Sequence, residues 1–351
     1  MFKDETTDEH GRALWSRLKP LSGDPAGRNE ILADLARKRG ITNVQVGMGK
    51  AGRFRPFDGI LVTGTPSPIL LPIESPDEIL RKYQTSLLDA RMFLRKVEWF
   101  YPAYKMKRFV HEVERLVDAK GTDWKDAFEI CLAVAYTPDY IATMLTDRYR
   151  AIPEIEPFVT CIQESTEAFY FGFVATAVAS LIPAVEGALS KMLLAFRSRQ
   201  DQTGAELVTQ VVNAAIEAAA SKVVYQKHWV PKEYRERVFL IHMDEYVELL
   251  DEFERFCRDS FFAHTDSYSG SAVNRHAVLH AVITNHGKPA NFFRLISILD
   301  LIAFIGSMNI SGVSCLAPND TDASRSLAVR FKALALMGTA YRLQAFHRPA
   351  S

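Results

Sequence analysis

The strongest constraint on the fold is the helical spacing of apolar residues from Ser75 to the end of the chain. Its start signal is Ser75-Pro76-Asp77-Glu78, in which an N-cap residue precedes proline and two acids. Amphipathic segments then follow one another, including one over about residues 158 to 199 in which Pro183 predicts a kink. The sequence therefore predicts a mainly α protein whose C-terminal half is a helical bundle.

Residues 41 to 73 interrupt the helical pattern. Val44 and Val46 alternate with polar neighbours, while Ile60-Leu61-Val62 and Ile69-Leu70-Leu71 are short β-prone runs. Glycines and prolines separate these runs, as expected for turns between strands. We expect a small sheet or hairpin inside an otherwise α-rich N-terminal domain.

Chain length predicts two domains, because 351 residues exceed what one hydrophobic core usually holds. The segment from Ala151 to Pro157 is rich in proline and has the strongest boundary character in the middle of the chain. We therefore expect an N-terminal domain over residues 1–155 and a C-terminal domain over residues 156–351.

Charge and cysteine usage exclude some classes of protein. The 42 basic side chains balance 42 acidic ones, so binding to DNA by bulk charge is not expected. The four cysteines form no Cys-x-x-Cys pair, which argues against a structural zinc site or a redox motif and suits a reducing compartment. No cofactor is expected.

The chain is expected to be cytoplasmic. Its first residues are charged and lack the apolar core of a secretory signal. The uncharged run from Ala168 to Val185 is about as long as the shortest membrane spans, but it contains Gly172, Ser180 and Pro183. We interpret it as a buried bundle helix, and no membrane partner is expected.

One short segment concentrates the side chains that could perform chemistry. Asn274, Arg275, His276 and His280 lie within seven residues, beside the apolar run Ala277-Val278-Leu279. An arginine and two histidines beside apolar residues need an explanation, because a buried charge is costly unless it is paired.

This segment resembles the Arg-x4-6-His motif of the HEPN superfamily (higher eukaryotes and prokaryotes nucleotide-binding), through Arg275 and His280. The run from Leu181 to Gly187 resembles an earlier long helix of bacterial HEPN-like proteins. The run from Leu295 to Asp300 resembles the helix that follows their motif. The likeness covers about residues 158 to 310 and implies a HEPN-like bundle.

The resemblance implies metal-independent cleavage of RNA. In that scheme His280 acts as general base or acid, and Arg275 holds the scissile phosphate. His276 shares a helical face with His280 because the two residues are four apart. If Asn274 caps the helix, free backbone N–H groups add a further element that binds anions.

Helix geometry adds a condition that does not depend on the family. Arg275 and His280 would lie about 140° apart around an ideal helix and about 7.5 Å apart along it. One chain would therefore not aim both side chains at one phosphate. A homodimer that brings two such segments together would meet the condition, and HEPN ribonucleases are known for such dimer sites.

Two other interpretations of the segment remain open. Arg275 could instead form a structural ion pair with Glu186 or Asp300. A metal site could use His276 and His280, with further ligands from His264, Asp266 or His286. A zincin motif is absent, because Ala277 stands where that motif needs glutamate.

The sequence as a whole predicts an endoribonuclease of HEPN type, in a bacterial toxin–antitoxin or antiviral defence system by resemblance. Its expected partners are RNA, a second copy of the chain, and an antitoxin or other defence-system protein. The alternative is a non-catalytic HEPN-like module that binds RNA or a partner protein. A patch in the last helix supplies cations for RNA, namely Arg325, Arg330, Lys332, Arg342 and Arg348.

Overall fold

The computed structural model describes residues 5–18, 25–83, 88–105, 107–197, 202–264, 273–280, 282 and 286–346. Within these residues the protein is mainly α, as predicted, with fifteen α-helices and one sheet of three strands. The helices are α1 Glu5–Leu18, α2 Pro25–Lys38, α3 Pro76–Lys82, α4 Leu88–Lys96, α5 Lys107–Asp118, α6 Trp124–Ala135, α7 Pro138–Thr143, α8 Val159–Phe171, α9 Val174–Arg197, α10 Gly204–Ala219, α11 Arg237–Met243, α12 Glu245–Phe256, α13 Arg275–Leu279, α14 Pro289–Asn309 and α15 Asp322–Phe346. The strands are β1 Gln45–Ala51, β2 Phe57–Thr63 and β3 Ile69–Pro72.

The chain folds into two compact units, and each contains two separate stretches of sequence. The first unit comprises Met1–Leu87 and Asn213–Asp251, and the second comprises Leu88–Val212 and Glu252–Ser351. The boundary expected after residue 155 lies inside the second unit. Its flanking residues Ile152 and Ile155 are fully buried, and Ile152 lies against Gly306 of α14. Ile152 and Ile155 therefore attach this stretch to the core of the second unit, while its prolines Pro153 and Pro157 are exposed.

The predicted small sheet is present in the first unit as an antiparallel meander with strand order β1-β2-β3. Ile60 pairs with Leu71 and Val62 with Ile69, which places their apolar side chains in the core of this unit. The helix α3 begins with the predicted cap, because the Ser75 side chain accepts from the Glu78 N–H while the Glu78 carboxylate accepts from the Ser75 N–H.

Trp229 explains why residues 213–251 belong to the first unit. Its backbone N–H donates to the Pro68 carbonyl, and its own carbonyl accepts from the Leu70 N–H, both at 2.8 Å. Its indole lies in the same core as the strands, and indole Nε1 donates to Asp8 at 2.8 Å. Gly11 of α1 lies against the indole, where any Cβ would overlap the ring. One aromatic side chain thus joins helix α1 to the sheet.

In the second unit, the helix predicted over about residues 158 to 199 is two helices, α8 and α9. The break is at Gly172, which has φ +103° and caps α8 in the left-handed conformation. Pro183, where the kink was expected, lies inside α9. The prediction was wrong because a glycine that ends a helix and a glycine inside one look alike in sequence.

Three helices are long and apolar enough to cross a membrane, judged by length and composition among the described residues. They are Val174–Arg197, Gly204–Val224 and Pro289–Asn309, with mean hydropathy of 1.5, 1.2 and 1.6. In α14, 89% of the most apolar stretch is buried inside the protein. A helix that protein surrounds on all sides is expected to be apolar all round.

Polar side chains nevertheless occur on α14 at every third position from Asn291 to Asp300. The Arg294 guanidinium donates to the carbonyls of Val97 and Glu98, at 2.7 and 3.0 Å. Ser297 accepts from the indole N–H of Trp99 at 3.2 Å. These partners of Arg294 and Ser297 lie in the segment that directly follows α4, so the buried polar groups are paired as a low-dielectric core requires.

Asp300 is the last of these polar residues on α14, and its carboxylate is buried. It accepts hydrogen bonds from the hydroxyls of Tyr140 and Tyr149, at 2.7 and 2.6 Å. Burial raises the pKa of Asp300 to about 6, although both hydroxyls and the charges of Lys105 and Arg148 act to lower it. Lys105 itself lies 3.6 Å from the centre of the Tyr140 ring, and burial lowers its pKa.

The raised pKa predicts how stability depends on pH. Because folded Asp300 holds its proton more tightly than in the unfolded chain, its contribution is complete below about pH 4 and is lost as pH rises through about 6. We expect the free energy of unfolding of the native protein, relative to Asp300→Asn, to fall by about 2.5 kcal/mol from pH 4 to pH 7. Urea unfolding at several pH values measures this difference.

The matched control is Asp126→Asn, at an exposed position on α6. It reports any general effect of removing one carboxylate. A difference between the native protein and Asp300→Asn that does not change with pH would contradict the assignment.

Candidate functional site

The segment singled out in the sequence begins with Asn274, which caps α13. Its backbone is extended, and its side-chain oxygen accepts from the Ala277 N–H at 2.9 Å. The helix α13 covers the five residues Arg275–Leu279. The cap therefore holds little more than one turn of helix.

Asn274 also attaches α13 to the chain segment that follows α12. Its amide nitrogen donates to the carbonyls of Ser260 and Ala263, at 3.0 and 2.8 Å. The side chain is fully buried. Both ends of the amide are occupied inside the protein, so Asn274 positions the segment and does not face an external ligand.

Arg275 turns toward α9, where its Nε lies 2.8 Å from the Glu186 carboxylate. The contact is a close charge pair and not a well-directed hydrogen bond, because the Nε atom has no hydrogen-bond partner. The side chains remain 33% and 24% exposed, so water weakens the pair. Glu186 and Asp300 were the two carboxylates considered as structural partners of Arg275. Among the described residues Arg275 pairs with Glu186, whereas Asp300 accepts hydrogen bonds from tyrosines.

His276 and His280 form a pair of exposed imidazoles. Their ring centres are 4.3 Å apart with 48° between the ring planes. The His280 N–H donates to the His276 carbonyl at 3.1 Å, so the turn between them is helical even though His280 is the C-cap residue. The shared face expected from their spacing is therefore present, and it faces solvent.

The four predicted site residues thus separate into three environments. Asn274 is internal, Arg275 is half-buried against Glu186, and the two imidazoles are on the surface. Among the described residues, no hydrogen bond or ion pair joins Arg275 to either imidazole. One chain brings together the two histidines but not the arginine and histidine of the motif.

Histidine is suited to what such a pair could do. A neutral imidazole accepts a proton or binds a metal ion, and a protonated one donates, all near neutral pH. In the part of the chain that the structure describes, no group of three or more His, Cys, Asp or Glu side chains could hold a metal ion. Asp266, one of the further ligands considered, lies outside the described residues.

The basic patch expected on α15 is largely paired within the protein. Arg330 contacts Glu167 and Lys332 contacts Asp139, each at 2.8 Å. Arg342 donates to the Phe171 carbonyl at 3.2 Å. Arg348 lies outside the described residues. These pairs support the packing of α15 more directly than they provide free cations for RNA.

The first unit contains a pocket of about 410 Å³ beside Trp15. Two of its polar side chains already have protein partners. The Trp15 indole donates to Glu233 at 2.9 Å, and the Tyr234 hydroxyl donates to the Glu74 carbonyl at 2.6 Å. The size suits a small ligand. The Ser75 hydroxyl of the lining donates to the Glu78 carboxylate at 2.8 Å, but both side chains already cap α3.

Comparison with known proteins identifies no relative of this chain. No family model matches the chain, and neither a curated protein nor a solved structure matches it. The side chains of α13 and its surroundings are therefore the basis for the functional argument.

The Asn274 contacts predict a cost in stability. Asn274→Ala removes the cap and leaves the Ser260 and Ala263 carbonyls without their donor. We therefore expect a loss of about 2 to 4 kcal/mol in the free energy of unfolding. Asn274→Asp keeps an acceptor for Ala277 but loses the amide donor, so it should also destabilise. Urea denaturation followed by circular dichroism measures both.

The matched control is His276→Ala, next to the cap but exposed, which should change stability by less than about 0.5 kcal/mol. If Asn274→Ala cost no more than this control, the buried amide would not be what holds the segment.

Proposed function

We propose that this protein is a metal-independent endoribonuclease of HEPN type, with Arg275, His276 and His280 in its active site. The observation that supports the proposal is a pair of exposed imidazoles, 4.3 Å apart, on a short helix that also carries an arginine. Such groups supply the proton transfer and phosphate binding that cleavage of RNA requires.

The reaction needs one proton acceptor and one proton donor. A neutral imidazole of His280 takes the proton of a ribose 2′-hydroxyl, whose oxygen attacks the adjacent phosphorus. The bond from phosphorus to the 5′-oxygen breaks, and a protonated imidazole gives that oxygen its proton. His276 is the proposed donor. The products are a 2′,3′-cyclic phosphate and a 5′-hydroxyl, and no metal ion takes part.

Arg275 is the proposed binding group for the scissile phosphate. Its guanidinium keeps its charge throughout and matches phosphate oxygens with two parallel donors. The Glu186 carboxylate lies 2.8 Å from Nε of Arg275, and a third of the arginine side chain remains exposed. In this arrangement Glu186 orients Arg275 through Nε, and the terminal nitrogens of Arg275 donate to the phosphate.

Two copies of the chain are needed to complete this site. Within one chain Arg275 pairs with Glu186 of α9, whereas both imidazoles face solvent. A two-fold axis near α13 would place the imidazoles of one copy beside the arginine of the other. We therefore propose a homodimer with composite sites.

By the resemblance stated above, we place this activity in the cytoplasm of a bacterium, in toxin–antitoxin or antiviral defence. A nuclease of this kind needs control, which an antitoxin or defence-system partner protein would supply. The alternative function is a non-catalytic HEPN-like module that holds RNA or a partner protein on the same surface. It has the same exposed imidazoles but no bond cleavage.

Substitution at α13 distinguishes the two functions. We expect Arg275→Ala and His280→Ala each to lower the rate of RNA cleavage by about 100-fold or more, because each removes a group that acts in the transition state. The assay follows shortening of a labelled RNA in the presence of a metal chelator. The control His111→Ala removes an exposed histidine of α5 and should cleave like the native protein.

Native cleavage by both variants would contradict the catalytic assignment. RNA that is retained but not shortened by the native protein would support the binding module instead. Its affinity should then fall steeply with salt, because phosphate contacts release counterions.

Mixing the two inactive variants tests the composite site. A dimer of one Arg275→Ala chain and one His280→Ala chain contains one site with both groups intact. Random exchange of chains should therefore restore about a quarter of the native activity. Light scattering would establish the dimer first. If mixed dimers form without recovery of cleavage, the two groups do not act across the dimer.

A further inference from the structure

The two imidazoles of α13 are arranged as a bidentate metal ligand. His276 and His280 are one helical turn apart, their ring centres are 4.3 Å apart, and both side chains are exposed. Imidazole nitrogen is a preferred ligand of nickel, copper and zinc ions. We propose that His276 and His280 together bind one such ion through one ring nitrogen each.

The distance between the rings fits shared coordination. A metal ion binds imidazole nitrogen at about 2.1 Å, so two nitrogens on one ion lie roughly 3 Å apart. A ring nitrogen lies roughly 1 Å from its ring centre, so centres 4.3 Å apart allow that spacing when the nitrogens turn toward each other. The exposed rings can make this turn without displacing core residues.

The backbone between the ligands is already in place. The hydrogen bond from the His280 N–H to the His276 carbonyl, at 3.1 Å, closes the turn that sets the spacing. Asn274 holds the start of the same turn through its contact with the Ala277 N–H. Binding therefore costs mainly the rotation of two side chains, which is small compared with ordering a loop.

Charge near the pair is compatible with a cation. The adjacent Arg275 would repel a metal ion, but the Glu186 carboxylate 2.8 Å from its Nε offsets that charge. Among the described residues no third His, Cys, Asp or Glu completes a group with the pair. Water, or the same two histidines of a second copy, would fill the remaining positions. Such an open site should hold its ion reversibly.

This inference does not rest on the proposed ribonuclease activity, but it bears on it. A nitrogen lone pair that binds a metal ion cannot accept a proton. Metal binding and proton transfer by the same imidazoles therefore exclude each other, and the ion would inhibit cleavage. Metal binding and RNA cleavage are measured in separate experiments. Failure of the protein to bind metal would therefore not affect the ribonuclease proposal, and absence of cleavage would not affect the metal-site proposal.

The test is calorimetric titration of untagged, full-length protein with Ni²⁺, in a buffer that does not chelate metals. We expect saturable binding by the native protein. Affinity should fall by about tenfold or more in His276→Ala and in His280→Ala, because each leaves a single protein ligand. Both positions are exposed, so circular dichroism should show unchanged folding.

A matched control keeps two histidines but changes their spacing. Combining His276→Ala with Leu279→His places the imidazoles on adjacent residues, which point to different sides of the helix. Leu279 is exposed, so the position accepts the change. This variant should bind Ni²⁺ no better than His276→Ala alone.

A further variant combines His276→Ala with His280→Ala. Equal binding by the native protein and by this variant would overturn the proposal, as would full affinity in the variant with adjacent histidines. A separate arm adds Ni²⁺ to the RNA assay run without the chelator, where the native protein should lose its cleavage. Continued cleavage with the metal bound would contradict the use of these imidazoles as acid and base.

Discussion

The packing of the second unit depends on hydrogen bonds to the polar side chains of α14, a helix that is buried on nearly all sides. On α14, Arg294 and Asp300 would each be a costly isolated charge in an apolar core. Backbone carbonyls at Val97 and Glu98 accept from the guanidinium, while Tyr140 and Tyr149 donate to the carboxylate. These contacts fix where the earlier helices pack, and α9, which packs against α14, then carries Glu186 toward α13.

Local features of the fold could be predicted because short-range chemistry determines them. The Ser75 cap, the three short strands and the helical character of α12 and α15 follow from residues a few positions apart. The end of α8 at Gly172 and the separate placement of residues 213–251 could not be predicted. Gly172 lies against the distant Arg342, and Trp229 pairs with a strand about 160 residues earlier. Long-range contacts of this kind leave no local pattern.

At the candidate site, spacing alone predicted the shared face of His276 and His280, whereas a cap at Asn274 entered only as a condition. It left the partner of Arg275 open between Glu186 and Asp300, because either carboxylate could meet a guanidinium. The choice depends on which helix passes beside α13, a property of the whole unit. Sequence reasoning also missed the two tyrosines that donate hydrogen bonds to Asp300. Their only signal was that a buried aspartate requires donors, which does not say where those donors lie in the chain.

The first unit has its sheet in one part of the chain and its core tryptophan in another. During synthesis, strands β1 to β3 leave the ribosome long before Trp229 is made. Until then the Leu70 N–H and Pro68 carbonyl lack their later partner, and α1 lacks the indole that Gly11 accommodates. The first unit therefore cannot finish folding until Trp229 has been synthesised, although its sheet is made much earlier. A chain truncated before residue 229 would leave an apolar sheet edge open to chaperones and aggregation.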